Sequence, residues 1–144
     1  MVYVDTSVLV ALFLNEPHSV AVADWYAREK SELVAAAWCI TEFASALGIK
    51  QRTGAIDAQQ ARGAWAHFER MVAADLRLLP VAPADFQRAA ELVLDTASGL
   101  RAGDALHLAC AEAAGTKRMA SLDEVLSRNA QRLKIKTIVL RNTP

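Results

Sequence analysis

Apolar positions along this chain alternate between two habits. Short runs rich in β-branched residues give way to longer stretches with apolar side chains every three or four positions, the marks of buried strands and amphipathic helices. Val2–Asp5 reads as a strand and Ser7–Leu14 as a helix, with Asp5, Thr6 or Ser7 available as its cap and Pro17 beyond its end. A second helix follows from His18 to about Lys30. Leu33–Ala36 is a strand feeding a helix from Trp38 to Arg52, and Asp57 caps a long amphipathic helix to Ala74. Leu78–Val81 is the third strand, and Pro83 opens a helix to about Thr96. Gly103–Ala114 is helical with Gly115 at its end, Arg118–Ala120 a strand, Asp123–Arg132 a helix and Thr137–Leu140 a last strand.

Strands alternating with helices imply a mainly parallel sheet covered on both faces, a three-layer α/β/α sandwich. No repeat, low-complexity tract or linker interrupts the pattern, so residues 1–144 read as one domain of ordinary size. In such sheets functional groups gather beyond the carboxyl ends of the strands.

Composition changes the picture in one respect. The 16 bases balance the 16 acids, which excludes a highly basic nucleic-acid coat or an acidic tail protein. The balance is uneven along the chain. Residues 117–144 hold seven bases (Lys117, Arg118, Arg128, Arg132, Lys134, Lys136 and Arg141) against Asp123 and Glu124, and the preceding 116 residues carry the compensating acids. A nuclease therefore stays open, because a neutral chain can present a basic flank.

Cys39 and Cys110 lie in Ala/Leu-rich stretches without a metal-binding spacing, so buried free thiols suited to a reducing compartment are expected. The apolar N-terminus lacks a basic leader and a small-residue cleavage site, and no apolar run approaches the ~20 residues of a membrane helix. A soluble cytoplasmic protein without membrane contact is the expectation.

Four acids stand in apolar company. Asp5 is the only formal charge in the first fifteen residues, and Glu42 the only one from Leu33 through Ile49. Asp104 lies in GLRAGDALHLACA beside Arg101 alone, and Asp123 follows Met-Ala-Ser-Leu after a strand. A buried carboxylate without a partner costs several kcal/mol or more. Arg101 is the one base obviously placed to help. A divalent cation would satisfy several carboxylates together, and Mg²⁺ or Mn²⁺ prefers such oxygen ligands. Each acid also has an ordinary reading: Asp5 and Asp123 as helix caps, Asp104 as a first-turn residue favoured by the helix dipole, Glu42 as an exposed helix position. If the first and fourth strands are neighbours, Asp5 and Asp123 share one crevice.

With these motifs assembled, VDTS at Asp5, TEFASAL at Glu42, LRAGDALHLA at Asp104 and SLDEVL at Asp123, the chain resembles the PIN-domain family, and within it the VapC-like ribonuclease toxins of bacterial type II toxin–antitoxin pairs. The resemblance runs from VYVDTSVLVALFL to the closing strand. It implies a Mg²⁺- or Mn²⁺-dependent endoribonuclease acting on RNA, a cognate antitoxin partner and a homodimer. Carried over residue by residue, Asp5, Glu42, Asp104 and Asp123 form an acidic quartet. Asp5 and Asp104 would be the core metal ligands, Asp123 would complete the site or hold a second ion, and Glu42 would contact water in the site. Ser7 would help hold Asp5 or a water at the metal. Ser121-Leu122-Asp123 stands where the family often has Thr-x-Asp, and the hydroxyl is retained.

Other residues admit two readings each. His107, one helical turn after Asp104, is either a ligand or proton shuttle or a packed structural histidine. Arg101 clamps a phosphate or holds a carboxylate. Trp38, Trp65 and Phe68 can stack on RNA bases, but Trp65, Phe68 and Val72 also form a helix packing face, which with Phe43 and Leu47 is a possible partner surface. His18 and His67 read as surface positions. A haloacid-dehalogenase-like phosphatase needs a second acid two positions after Asp5, where Ser7 stands, and a response-regulator receiver needs an acid pair near the first strand. Both fail on those residues. Two alternatives remain, a catalytically silent PIN-like binding module and a stand-alone PIN nuclease without antitoxin.

Overall fold

In the computed structural model, which describes residues 1–141, five short strands form one parallel sheet in the order β3-β2-β1-β4-β5. They are β1 (Val2–Val4), β2 (Leu33–Ala36), β3 (Leu76–Leu79), β4 (Arg118–Ala120) and β5 (Lys136–Ile138). Helices α1 (Thr6–Phe13), α2 (Ser19–Arg28), α3 (Trp38–Arg52) and α4 (Ala58–Ala74) precede β3. Helices α5 (Pro83–Leu94), α6 (Ala102–Ala113) and α7 (Glu124–Arg132) follow it.

Alternation along the central strands splits the core in two. Val2, Val4, Leu33 and Ala35 pack with Val8, Leu9, Phe43 and Phe68 on one face. Tyr3, Val34 and Ala36 pack with Leu108, Met119 and Leu126 on the other. Side chains two apart on a strand share a face, so α1–α4 cover one side and α5–α7 the other. The three-layer sandwich read from the sequence is the fold observed.

The long helix α4 starts on a capping box in which Asp57 and Gln60 bond each other's backbone N–H groups. Its apolar side supplies Phe68, stacked on Phe43 with ring centres 4.6 Å apart, while Trp65 and Val72 pack against the same cluster. Phe43 and Leu47 are buried in that core, which removes them as a partner surface. Gly115 ends α6 with φ +71°, a left-handed conformation that favours glycine.

The first strand ends one residue early, at Val4, and the two edge strands are displaced from expectation. The third begins two residues before Leu78 and ends at Leu79, ahead of Pro80, which has no N–H for a ladder. The last is Lys136–Ile138 rather than Thr137–Leu140. Arg77 and Lys136 break the apolar pattern there, and an edge tolerates them because one side faces solvent. Arg77 reaches outward to Glu32.

The chain visits β2 and β3 on one side of β1, then returns to β4 and β5 on the other. The strand order therefore reverses between β1 and β4, the place where open parallel sheets form a crevice.

Candidate metal centre at the β1/β4 crevice

Asp5 follows β1 directly and is buried beneath this crevice. It caps α1, its carboxylate accepting from the Val8 N–H at 3.3 Å. Two hydroxyls complete its shell: Ser7 Oγ donates to Oδ1 at 2.6 Å, and Ser121 Oγ donates to Oδ2 at 2.7 Å. Both serines also accept backbone N–H groups from the segment after β4, Ser7 from Leu122 and Ser121 from Asp123. The Asp5 N–H bonds the Ala120 carbonyl, closing the two strand ends on each other. Burial raises the Asp5 carboxyl above its ordinary value, against the charge of His107 and the three donors.

The other acids arrive from three helices. Asp104 sits in the first turn of α6, and Asp123 caps α7 by accepting from Leu126 N–H at 2.8 Å. Glu42 projects from the second turn of α3. Glu42, Asp104 and Asp123 line a single cleft of about 530 Å³ together with Thr6, Trp38 and Arg101. Burial, then the charges of Asp123 and Asp5 and, more weakly, Glu42, push the Asp104 carboxyl up to about 6. The other three acids singled out in the sequence thus all lie close enough to act on Asp104.

Glu42 behaves oppositely. Burial works to raise it, but the hydrogen bond and charge of His107, with Thr6 and the Trp38 indole, outweigh burial and hold it below its ordinary range. His107 is 2% exposed, bonded to Glu42 through Nε2 and to the Tyr3 hydroxyl through Nδ1. The carboxylate partner for which Arg101 was a candidate is thus an imidazole. Arg101 is exposed at the mouth of the cleft and makes no ion pair among the described residues.

Sequence reasoning missed four contributors. Thr6 Oγ1 donates to Glu42 Oε1 at 2.6 Å. Tyr3 anchors His107 from the middle of β1. The Trp38 indole flanks Glu42 from the start of α3. Gly103 leaves the space they need: a Cβ there would lie 2.9 Å from Glu42 Oε2 and 3.2 Å from Trp38 Nε1. The glycine three positions into LRAGD was the one visible signal, since a glycine inside a helix start marks a close approach.

The basic C-terminal segment is partly neutralised. Arg118 pairs with Glu29 at 2.9 Å, Arg132 with Asp95 at 3.4 Å and Arg141 with Glu124, while Arg128 donates to the Ser98 carbonyl. Lys117, Lys134 and Lys136 have no ion partner among the described residues, and residues 142–144 of the segment lie outside them. A larger cleft of about 590 Å³ runs between α2 and Arg118, Val139 and Arg141, but none of the four acids lines it. His67 is exposed as expected, whereas His18 is half-buried. The thiols of Cys39 and Cys110 are free and buried, and burial pushes them up to about 12 and about 11, so neither is a nucleophile at neutral pH.

With the fold and the site in view, comparison with known proteins is decisive on the family. The PIN domain profile matches residues 2–131. The chain belongs to the PIN domain family. Its structure is similar to VapC20 of Mycobacterium tuberculosis, described as a sarcin-ricin loop cleaving toxin (TM-score 0.74, 16% identity, covering 90% of this chain and 95% of that one). It is also similar to PAE2754 from Pyrobaculum aerophilum (TM-score 0.64, 23% identity, 88% and 82% covered). FitAcB from Neisseria gonorrhoeae gives a TM-score of 0.67 at 13% identity, with 96% and 97% covered. No curated protein matches the chain by sequence. At these identities the solved structures establish the fold alone.

The donors of this PIN domain suit a hard divalent cation. They are carboxylate oxygens, with no thiolate in the cleft. Among the described residues no three carboxylate, imidazole or thiol side chains form a ready-made cage. Mg²⁺ accepts such an open arrangement, because it keeps several waters and binds through one or two carboxylates. A cation would also relieve the mutual repulsion that raises Asp104. No helix among the described residues is long and apolar enough to cross a membrane.

Proposed function

We propose that this PIN domain is a Mg²⁺- or Mn²⁺-dependent endoribonuclease, the toxic member of a toxin–antitoxin pair. In this reading it acts on RNA in the cytoplasm as a homodimer and is inhibited by a cognate antitoxin protein. The observation that carries the reading is the cleft shared by Glu42, Asp104 and Asp123, in which burial and then the charges of Asp123, Asp5 and, more weakly, Glu42 push the Asp104 carboxyl up to about 6. Membership of a family of divalent-metal-dependent nucleases supports the chemistry, and the likeness to a toxin described as cleaving the sarcin-ricin loop supports the biological role.

Asp5, Asp104 and Asp123 would hold the ion, with Ser7 and Ser121 fixing Asp5. A bound divalent cation supplies charge neutralisation at a scissile phosphate and makes water a stronger nucleophile near neutral pH. Glu42 is ionised at neutral pH, so it can orient a water or accept its proton. Arg101, exposed and without an ion partner at the mouth of the cleft, is free to meet a phosphate.

RNA cleavage by the purified protein with Mg²⁺ or Mn²⁺, with chelator, and by Asp5→Asn tests the proposal. The expected result is cleavage that needs the ion and disappears in the variant. Cleavage indifferent to chelator overturns the metal mechanism. No cleavage of any RNA pool with either ion favours the silent binding module. Cleavage without an adjacent short reading frame encoding a DNA-binding antitoxin points to the stand-alone nuclease.

A further inference from the structure

We propose that Tyr3 and His107 are positioning residues for Glu42, joined in a buried hydrogen-bond chain that decides which oxygen of that carboxylate faces the cleft. The chain starts in the sheet. The backbone N–H of Ala36, at the end of β2, donates to the Tyr3 hydroxyl oxygen at 3.1 Å. The same hydroxyl shares a hydrogen bond of 2.7 Å with His107 Nδ1. Nε2 bonds Glu42 Oε1, and because an ionised carboxylate only accepts, Nε2 carries a proton there. Thr6 Oγ1 donates to the same oxygen at 2.6 Å.

Oε1 is therefore held by two donors. Oε2 lies beside the Trp38 indole and over Gly103, the only kind of residue that leaves it room. One oxygen is anchored and the other is presented.

The burial of the chain argues that it does more than fill the core. Tyr3 is fully buried and His107 nearly so, among Leu108, Met119 and Leu126. Removing a phenol and an imidazole from water is costly unless every polar atom is paired, and apolar residues of the same size would avoid that cost. Here each polar atom is paired, and the chain ends on a carboxylate that lines the cleft. Its members come from β2, β1, α6, α3 and α1, so it ties Glu42 to the sheet from which Asp5 also emerges.

The kinetic arm of the test rests on the nuclease reading, and the spectroscopic arm does not. His107→Leu keeps the volume without a donor, whereas His107→Gln keeps an N–H at the place of Nε2. With folding checked by thermal unfolding, His107→Leu should lower kcat on RNA by about 10–100-fold with KM unchanged, and His107→Gln should restore most of it. Wild-type kcat in His107→Leu overturns the proposal. In metal-free protein with labelled histidine, NMR should find the His107 proton on Nε2, that resonance should move in Glu42→Gln, and Nδ1 should respond to Tyr3→Phe. A ring proton on Nδ1 alone, or a resonance blind to Glu42→Gln, overturns the proposal whether or not the protein cleaves RNA.

Discussion

Ser121 donates to Asp5 across 116 positions of sequence, Oγ to Oδ2 at 2.7 Å, and so joins the end of β4 to the end of β1. The same hydroxyl accepts the Asp123 N–H at 3.0 Å, which sets the start of α7. One small side chain thus positions two of the four acids. Ser121→Ala leaves a buried carboxylate oxygen without its donor. Hydrogen bonds to charged groups contribute about 1.5–3 kcal/mol, and the loss should fall in that range by urea unfolding at pH 7. Ser121→Thr, which keeps the hydroxyl, should lose much less. An alanine variant within a few tenths of a kcal/mol of wild type would show that Asp5 does not depend on this bond.

Asp104 makes stability depend on pH in a definite direction. Its folded carboxyl titrates at about 6 against an ordinary value of 3.8, so between those values the folded state binds more proton than the unfolded state. Stability contributed by this group therefore falls as pH rises from about 4 to 6 and stays lower above. Discounted for its partial exposure, the effect is roughly 1–2 kcal/mol. Glu42 is shifted the other way, so the comparison that isolates Asp104 is the wild type against Asp104→Asn. In metal-free protein at pH 7.5 the asparagine variant should be the more stable by that amount, and the difference should shrink towards pH 4. A variant less stable than wild type at pH 7.5 would contradict the crowding of the four acids.

The crowding was legible in the sequence for a physical reason. A carboxylate alone in an apolar run must be explained locally or by something distant, as Asp5 and Glu42 had to be, while Asp104 had only Arg101 beside it and Asp123 followed an apolar strand. What holds them was not legible. Tyr3, Thr6 and His107 act on partners between 36 and 104 positions away, and nothing in their own neighbourhoods distinguishes them from core or cap residues. His107 is in fact a packed and hydrogen-bonded histidine, and what the sequence could not say is that its partner is Glu42. The same limit explains the sheet. Central strands β1 and β2 are buried on both faces and read as apolar runs, whereas edge strands β3 and β5 carry Arg77 and Lys136 and were displaced by one or two residues.

Divalent cation binding should appear as stability even without RNA. An ion that binds only the folded chain adds RT ln(1 + [L]/Kd), about 1.4 kcal/mol at ten times Kd. The thermal midpoint of the wild type should therefore rise with Mg²⁺ or Mn²⁺ at pH 7.5. It should rise less at pH 5, where Asp104 is largely protonated, and least in Asp5→Asn and Asp104→Asn. An equal rise in wild type and both variants would place the ion elsewhere on the molecule.

Two glycines inside helices should respond oppositely to alanine. Gly63, exposed in the middle of α4, has nothing within 4 Å of an added Cβ. Alanine there should stabilise the protein by about 0.5–1 kcal/mol through helix propensity and leave cleavage untouched. Gly103 has the same propensity to gain in α6, but its Cβ would meet Glu42 Oε2 at 2.9 Å. That oxygen ends a flexible side chain, yet the other oxygen is held by Thr6 and His107, so the carboxylate has to turn away from its donors. Unfolding of Gly103→Ala should consequently sit close to wild type, as the helical gain offsets the displaced contact. Its kcat should fall by about ten-fold or more, because misplacing a reacting group by an ångström can cost that much. Stability and turnover measured on the two variants side by side separate helix propensity from the geometry of Glu42, and full activity in Gly103→Ala would show that the position of Oε2 does not matter.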